Sequence, residues 1–261
     1  MDQQTTTLTD ADVIDADSGT GRRMSFLEHL EELRRRIIYS LYALIVGCIA
    51  GWYFVGRIFH YMLGYFGALG GKMIYTELTG AFMFEFKTGL LLGLFIASPF
   101  IFSQFWFFVA PGLYTRERKV VIPFVVASTI LFVLGAAFAH LIAFPNMWRF
   151  FANFANDKLA FMPTINMAFS FYIKMILGLG LVFEMPMLVF FLARFGIVTW
   201  RFLVDKAKYA IVIIFVIAAI ASPTPDPINQ CIFAAPMLVL YALSIGVAAV
   251  FGKKKPSERS A

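Results

Sequence analysis

Six stretches of this chain, at about 36–56, 83–108, 120–144, 168–193, 208–222 and 228–250, are almost uninterrupted apolar sequence. A helix needs about 20 such residues to cross the hydrocarbon of a bilayer. In lipid, only helices or closed barrels satisfy their own backbone. These runs are continuous rather than alternating, so they predict helices and not barrel strands. Composition agrees: 60% of the 261 residues are hydrophobic and 15% are charged, too few charges to coat a soluble domain. The expected fold class is an all-α integral membrane protein with six transmembrane helices. The fifth run, from Lys208 to Ser222, spans only about 22 Å as a helix. It requires a thinned bilayer or a helix that stops short of one face.

Basic residues set the orientation. Arg22, Arg23 and Arg34 to Arg36 precede the first run, and Arg116, Arg118 and Lys119 join the second and third. Arg194, Arg201, Lys206 and Lys208 join the fourth and fifth, and Lys253 to Lys255 with Arg259 follow the sixth. Together these are sixteen of the 22 lysines and arginines. Arg57, Lys72, Arg149 and Lys158, with Lys87 and Lys174 near helix ends, make up the other side. The positive-inside rule then puts both termini in the cytoplasm. The outer loops fall at about 57–82, 145–167 and 223–227. The net charge of +6 is dispersed in short clusters between apolar runs, which excludes a nucleic-acid-binding face.

Residues 1–24 are polar and acidic, with no apolar core of a signal peptide, and are expected to be a disordered cytoplasmic tail. Residues 253–261 form a basic tail, and 25–252 the helical domain. Ser25 and Glu28 fit a capping box. Phe26, Leu27, Leu30, Leu33 and Ile37 then recur at helical spacing, predicting an amphipathic helix at the cytoplasmic interface that runs into the first span. Pro99, Pro186 and Pro236 lie within spans and predict kinks. No internal repeat is visible.

Few residues carry chemistry. Glu184 lies in Leu181-Val182-Phe183-Glu184-Met185-Pro186-Met187. A carboxylate at the centre of a span costs roughly 2.5–3.5 kcal/mol on insertion scales, so it must face protein or water. Lys174 is ten residues earlier, about 15 Å along the axis, so the two need separate partners. Glu85 and Lys87 sit where snorkelling explains them. Glu32 and Glu117 stand among positive charges. Singly, each reads as a solvated or locally paired glutamate. Converging, they would suit arginines of a partner, because guanidinium and carboxylate form bidentate bonds. Asp226, in Ser222-Pro223-Thr224-Pro225-Asp226-Pro227, is placed to cap the sixth helix or meet a partner. His29, His60 and His140 form no metal set. Cys48 and Cys231 read as small buried hydrophobes. No nucleophile–base, metal or phosphate-loop motif occurs, so no enzymatic activity and no cofactor are expected. Arg22-Arg23 is followed by charge rather than an apolar segment and is not an export signal.

His29-Leu30-Glu31-Glu32-Leu33-Arg34 resembles the opening motif of the TatC family, the large subunit of the twin-arginine protein translocase. Similar matches are Gln104 to Tyr114 (QFWFFVAPGLY) with Glu117-Arg118, Phe183-Glu184-Met185-Pro186, and Pro225-Asp226. They occur in order from about residue 25 to 250. The resemblance implies a concave, glove-like bundle in the cytoplasmic (inner) membrane. Its cytoplasmic rim would bind twin-arginine signal peptides of folded precursors for export driven by the proton-motive force. By position, Glu32 and Glu117 would receive the two arginines, and Arg34, Phe108, Pro111 and Leu113 would share that rim. Glu184 would be the acid of an intramembrane polar pocket. Pro225 and Asp226 would lie near the docking region of the single-span TatA and TatB subunits, and other copies of the chain would join a larger complex. Two differences stand out. The proline usual in the family's first outer loop is missing from Gly64 to Gly70, and Ala242 stands where a late glutamate of the sixth helix is common.

A different class of function is a proton-coupled small-solute carrier using Glu184 and Lys174. It would require paired ionisable groups near midplane and repeat symmetry.

Overall fold

The computed structural model describes residues 26–70, 73–74, 76–109, 118–156, 158, 160–221 and 226–252. Both tails, the capping residue Ser25, and Pro111, Leu113, Glu117 and Pro225 lie outside the described residues. The described chain is helical, with one isolated bridge between Ile74 and Thr164. In order the helices are α1 (Phe26–Trp52), α2 (Val55–Ala68), α3 (Gly80–Val109), α4 (Arg118–Phe138), α5 (Phe144–Ala152), α6 (Ile165–Val182), α7 (Met185–Arg194), α8 (Trp200–Asp205), α9 (Ala207–Ala221) and α10 (Pro227–Phe251).

Four units are long and apolar enough to cross a membrane: Gly80–Phe108, Ile122–Ala152, Ile165–Arg194 and Gln230–Phe251. α1 and α2 pass the same test as a pair bent by 73°. α9 is apolar throughout but has only 15 residues. Large apolar side chains point outward on most of them, including Ile49 (71% exposed), Ile220 (81%) and Val250 (74%). A water-soluble monomer does not carry apolar surface on this scale; lipid is the solvent these faces match.

α1 lies antiparallel along α3. Gly47 and Gly51 on one helix both face Gly93 on the other, and Gly89, one turn before Gly93, receives the Trp52 ring. A Cβ on Gly47 would strike the Gly93 carbonyl oxygen, and one on Gly93 would strike the backbone of Cys48. In lipid, where apolar burial drives nothing, such backbone-to-backbone approach is what holds helices together. Gly135 of α4 meets the backbone of Leu179 and Gly180 on α6 in the same way. α10 packs against α7, while α9 rests on α10 and α8.

Prolines reshape two spans. Pro145 lacks an N–H and leaves the carbonyl four residues earlier unpaired. The chain absorbs the defect in a π-helical turn, Ala139–Ala143, between α4 and α5. Pro186 near the start of α7 follows a break at Phe183 and Glu184. Helices α3 and α10 continue through Pro99 and Pro236.

α2 folds back over the end of the bundle distant from the arginines. Its Met62 and Phe66 are buried, and Phe66 stacks on Trp148 at 5.7 Å. At the end of this helix Gly70 has φ +84°, a conformation that favours glycine. Its carbonyl accepts the Trp148 indole N–H at 2.6 Å. Cys48 is half-buried against Gly93 and Cys231 is exposed. Neither is the fully buried hydrophobe expected, because an outward face of a span is already apolar surroundings.

Candidate functional site

The arginine-rich end carries the first half of the site. On α1, Glu32 and Arg36 are one helical turn apart and pair at 3.2 Å, through Oε1 and Nη2. Arg36 also donates through Nη1 to Gln104 Oε1 on α3 at 3.1 Å, and its guanidinium lies 5.2 Å from the Phe107 ring centroid. Gln104 is buried. Arg36 therefore ties the start of α1 to the last turns of α3. Among the described residues, the second Glu32 oxygen, Oε2, and Arg36 Nε are buried without a hydrogen-bond partner. One turn earlier, His29 stacks on Phe108 at 4.5 Å and 22°. Arg34 is exposed, as is Arg35, which donates to the Tyr39 hydroxyl at 3.2 Å.

The second half lies deeper. Glu184 sits at the break between α6 and α7, where its carbonyl accepts from Met187 and Leu188 at 3.0 Å each. Its side chain is buried. Ser128 of α4 is its side-chain hydrogen-bond partner, and among the described residues Oε1 has none. The Ser128 hydroxyl in turn accepts the Trp106 indole N–H at 3.0 Å. Trp106 is stacked on Phe191 at 4.0 Å. The segment Gln104 to Phe108 of α3 thus reaches both halves. Gln104, Phe107 and Phe108 serve the rim, and Trp106 serves the buried acid.

A family model described as Sec-independent protein translocase protein (TatC) matches residues 28–236. The chain belongs to the TatC family. The TatC of Koribacter versatilis is 43% identical over 242 residues, covering 90% of this chain and 89% of its own. That of Desulforapulum autotrophicum is 42% identical over 236 residues, covering 89% and 87%. A crystal structure of the twin-arginine translocase receptor TatC has 35% identity and a TM-score of 0.71, with 85% of this chain and 98% of that one covered. A second, in the detergent DDM, gives 34% and 0.72, with 87% and 100% covered. TatC proteins are translocase components, not enzymes, and this chain is a multi-pass membrane subunit that works with other Tat components.

Of the residues expected at the TatC rim, Glu32, Arg34 and Phe108 are described and share one end of the molecule. Glu184 lies apart from them, joined through α3. Asp226 is half-buried before α10, and its carbonyl accepts from Gln230 at 3.0 Å. Arg36 and Gln104 were not singled out as a pair from sequence; their partnership crosses 68 positions. Lys87, read as snorkelling, is instead fixed by Asn166 Oδ1 at 2.6 Å and Ser170 Oγ at 2.7 Å. Among the described residues Lys174 and Glu184 form no ion pair, and no group of acids, histidines and cysteines is arranged to hold a metal.

Proposed function

We propose that this chain is the receptor subunit of the twin-arginine translocase and binds the paired arginines of a signal peptide at the Glu32 end. The observation that carries this is Glu32 itself. One carboxylate oxygen is held by Arg36, while the other is buried and, among the described residues, has no donor. Leaving a buried charged acceptor unmade is costly, and an incoming guanidinium supplies the missing donors. Arg36, anchored on Gln104, keeps the carboxylate oriented. Glu117 is proposed as the second carboxylate, with Arg34, Phe108, Pro111 and Leu113 around it. The related crystal structures are of TatC as the twin-arginine translocase receptor, which supports the same reading.

In this reading the arginine-rich end is cytoplasmic, both termini are cytoplasmic, and the membrane is the inner membrane. TatA- and TatB-type single-span subunits dock near Pro225 and Asp226, further copies of the chain join the complex, and export of folded precursors draws on the proton-motive force. The helical domain is proposed to span 25–252, between tails at 1–24 and 253–261.

The test is binding of a fluorescent twin-arginine peptide to the purified chain. Glu32→Gln removes the charge and keeps the shape, so affinity should fall about tenfold or more, as for a lost charge-assisted hydrogen bond. A peptide with both arginines replaced by lysine should lose the bidentate geometry and discriminate little between the two proteins. Equal affinity of native protein and Glu32→Gln for the arginine peptide would overturn the assignment.

A further inference from the structure

A trough of about 520 Å³ opens between α1, α3 and α6, away from both halves of the site described above. Leu44, Leu90, Leu94, Ile173 and Leu177 form apolar walls, and two lysines, Lys87 and Lys174, line it with Ser170. No acidic residue lines it. Its volume falls within the range of about 300–1,000 Å³ typical of ligand pockets.

The two cations lie in the same half of the membrane. Lys87 is seven residues into α3 and Lys174 nine into α6, about 10 and 14 Å from those helix starts. The two starts are neighbours, joined by Lys87 to Asn166 and by Asn166 Nδ2 to Glu77 Oε2 at 2.9 Å. The ammonium of Lys87 is thus held by neutral oxygens, with Glu77 one link away. Lys174 is exposed and, among the described residues, has no hydrogen bond or ion pair. A bare ammonium at this depth is costly. Its flexible stem lets it rise toward the headgroups, where the bilayer itself offers an anion.

We propose that this trough is a binding site for one anionic phospholipid, with an acyl chain along the leucine walls and the phosphate between Lys87 and Lys174. A zwitterionic lipid fits the walls equally well but brings its own cation toward two others, so charge sets the selectivity. The site is independent of the role given to Glu32.

The full chain, purified in a mild detergent, is titrated with phosphatidylglycerol or phosphatidylcholine, and bound lipid is counted by native mass spectrometry. One phosphatidylglycerol should be retained with a preference of about tenfold or more over phosphatidylcholine, the scale expected for two lysines near an anionic headgroup. Lys174→Gln, at an exposed position that leaves the fold intact, should remove most of that preference, and Lys174→Arg should restore it. Leu94→Trp should fill the trough and lower retention of both lipids, with circular dichroism checking that the helices remain. Equal retention of the two lipids by the native chain, or an unchanged preference in Lys174→Gln, would overturn the proposal. So would displacement of phosphatidylglycerol by an uncharged apolar helical peptide with no loss to Lys174→Gln.

Discussion

Ser128 serves two groups at once: it accepts from Trp106 and partners Glu184, while wholly buried itself. Ser128→Ala leaves a buried indole N–H and a buried carboxyl stranded, each worth about 1–3 kcal/mol. The variant should melt at clearly lower temperature in detergent than the native chain; an unchanged melting temperature would refute the bridging role. Glu184 could be picked out of the sequence because an acid in an apolar run is conspicuous. Its partner could not, since a serine in a span gives no such signal. The same holds at the rim. Glu32 was legible through its motif, but the Arg36–Gln104 bond depends on two helices meeting 68 positions apart, which no local pattern encodes. His29, set aside as one of three scattered histidines, proves to be the ring that stacks on Phe108.

At the scale of elements, long apolar runs were readable because the bilayer dictates their length, and the structure puts a helix in each. What lies between them was not. The first outer loop was expected at 57–82, yet Val55–Ala68 is helix α2. Three of its residues are glycine, so propensity argues against it. Its burial of Met62 and Phe66 is tertiary in origin. The π turn is equally silent in sequence, although Pro145 supplies its cause. At that turn His140 bonds Tyr61 and Tyr172 through its two ring nitrogens, each at 3.1 Å, and its carbonyl accepts from Tyr65. Three helices are thereby pinned at one residue. The glycine contact between α1 and α3 is the most sensitive seam. Gly93→Leu, which drives a side chain into the backbone of Cys48, should separate the two helices. Cysteines placed at Ser40 and Phe100 would report it through lost crosslinking, whereas crosslinking at native yield would show that the seam can yield.

Across the whole molecule, support is uneven. α6 is packed on α3, α4 and the π turn, while among the described residues α9 rests mainly on α10 and α8. Its residues Val212, Val216 and Ile220 are outward-facing. One polar tie, Gln230 Nε2 to the Phe215 carbonyl at 2.9 Å, joins it to α10. Local opening tracks such sparse contact. Amide exchange in micelles should therefore be fastest in α9 among the spans and slowest in α6, and α9 should slow when another Tat component is added. Uniform exchange across both helices would contradict this. The sequence disclosed the shortness of this segment but not its isolation, which follows from where the other helices go.

The antiparallel glycine seam bears on how the protein is made. Because α1 and α3 meet through backbone rather than long side chains, little rotamer freedom is lost when they join. Everything that seam needs has been synthesised by Val109, before α4 begins. Pairing of α1 with α3 thus needs no residue of any later helix, and the pair offers a template on which each of those can settle.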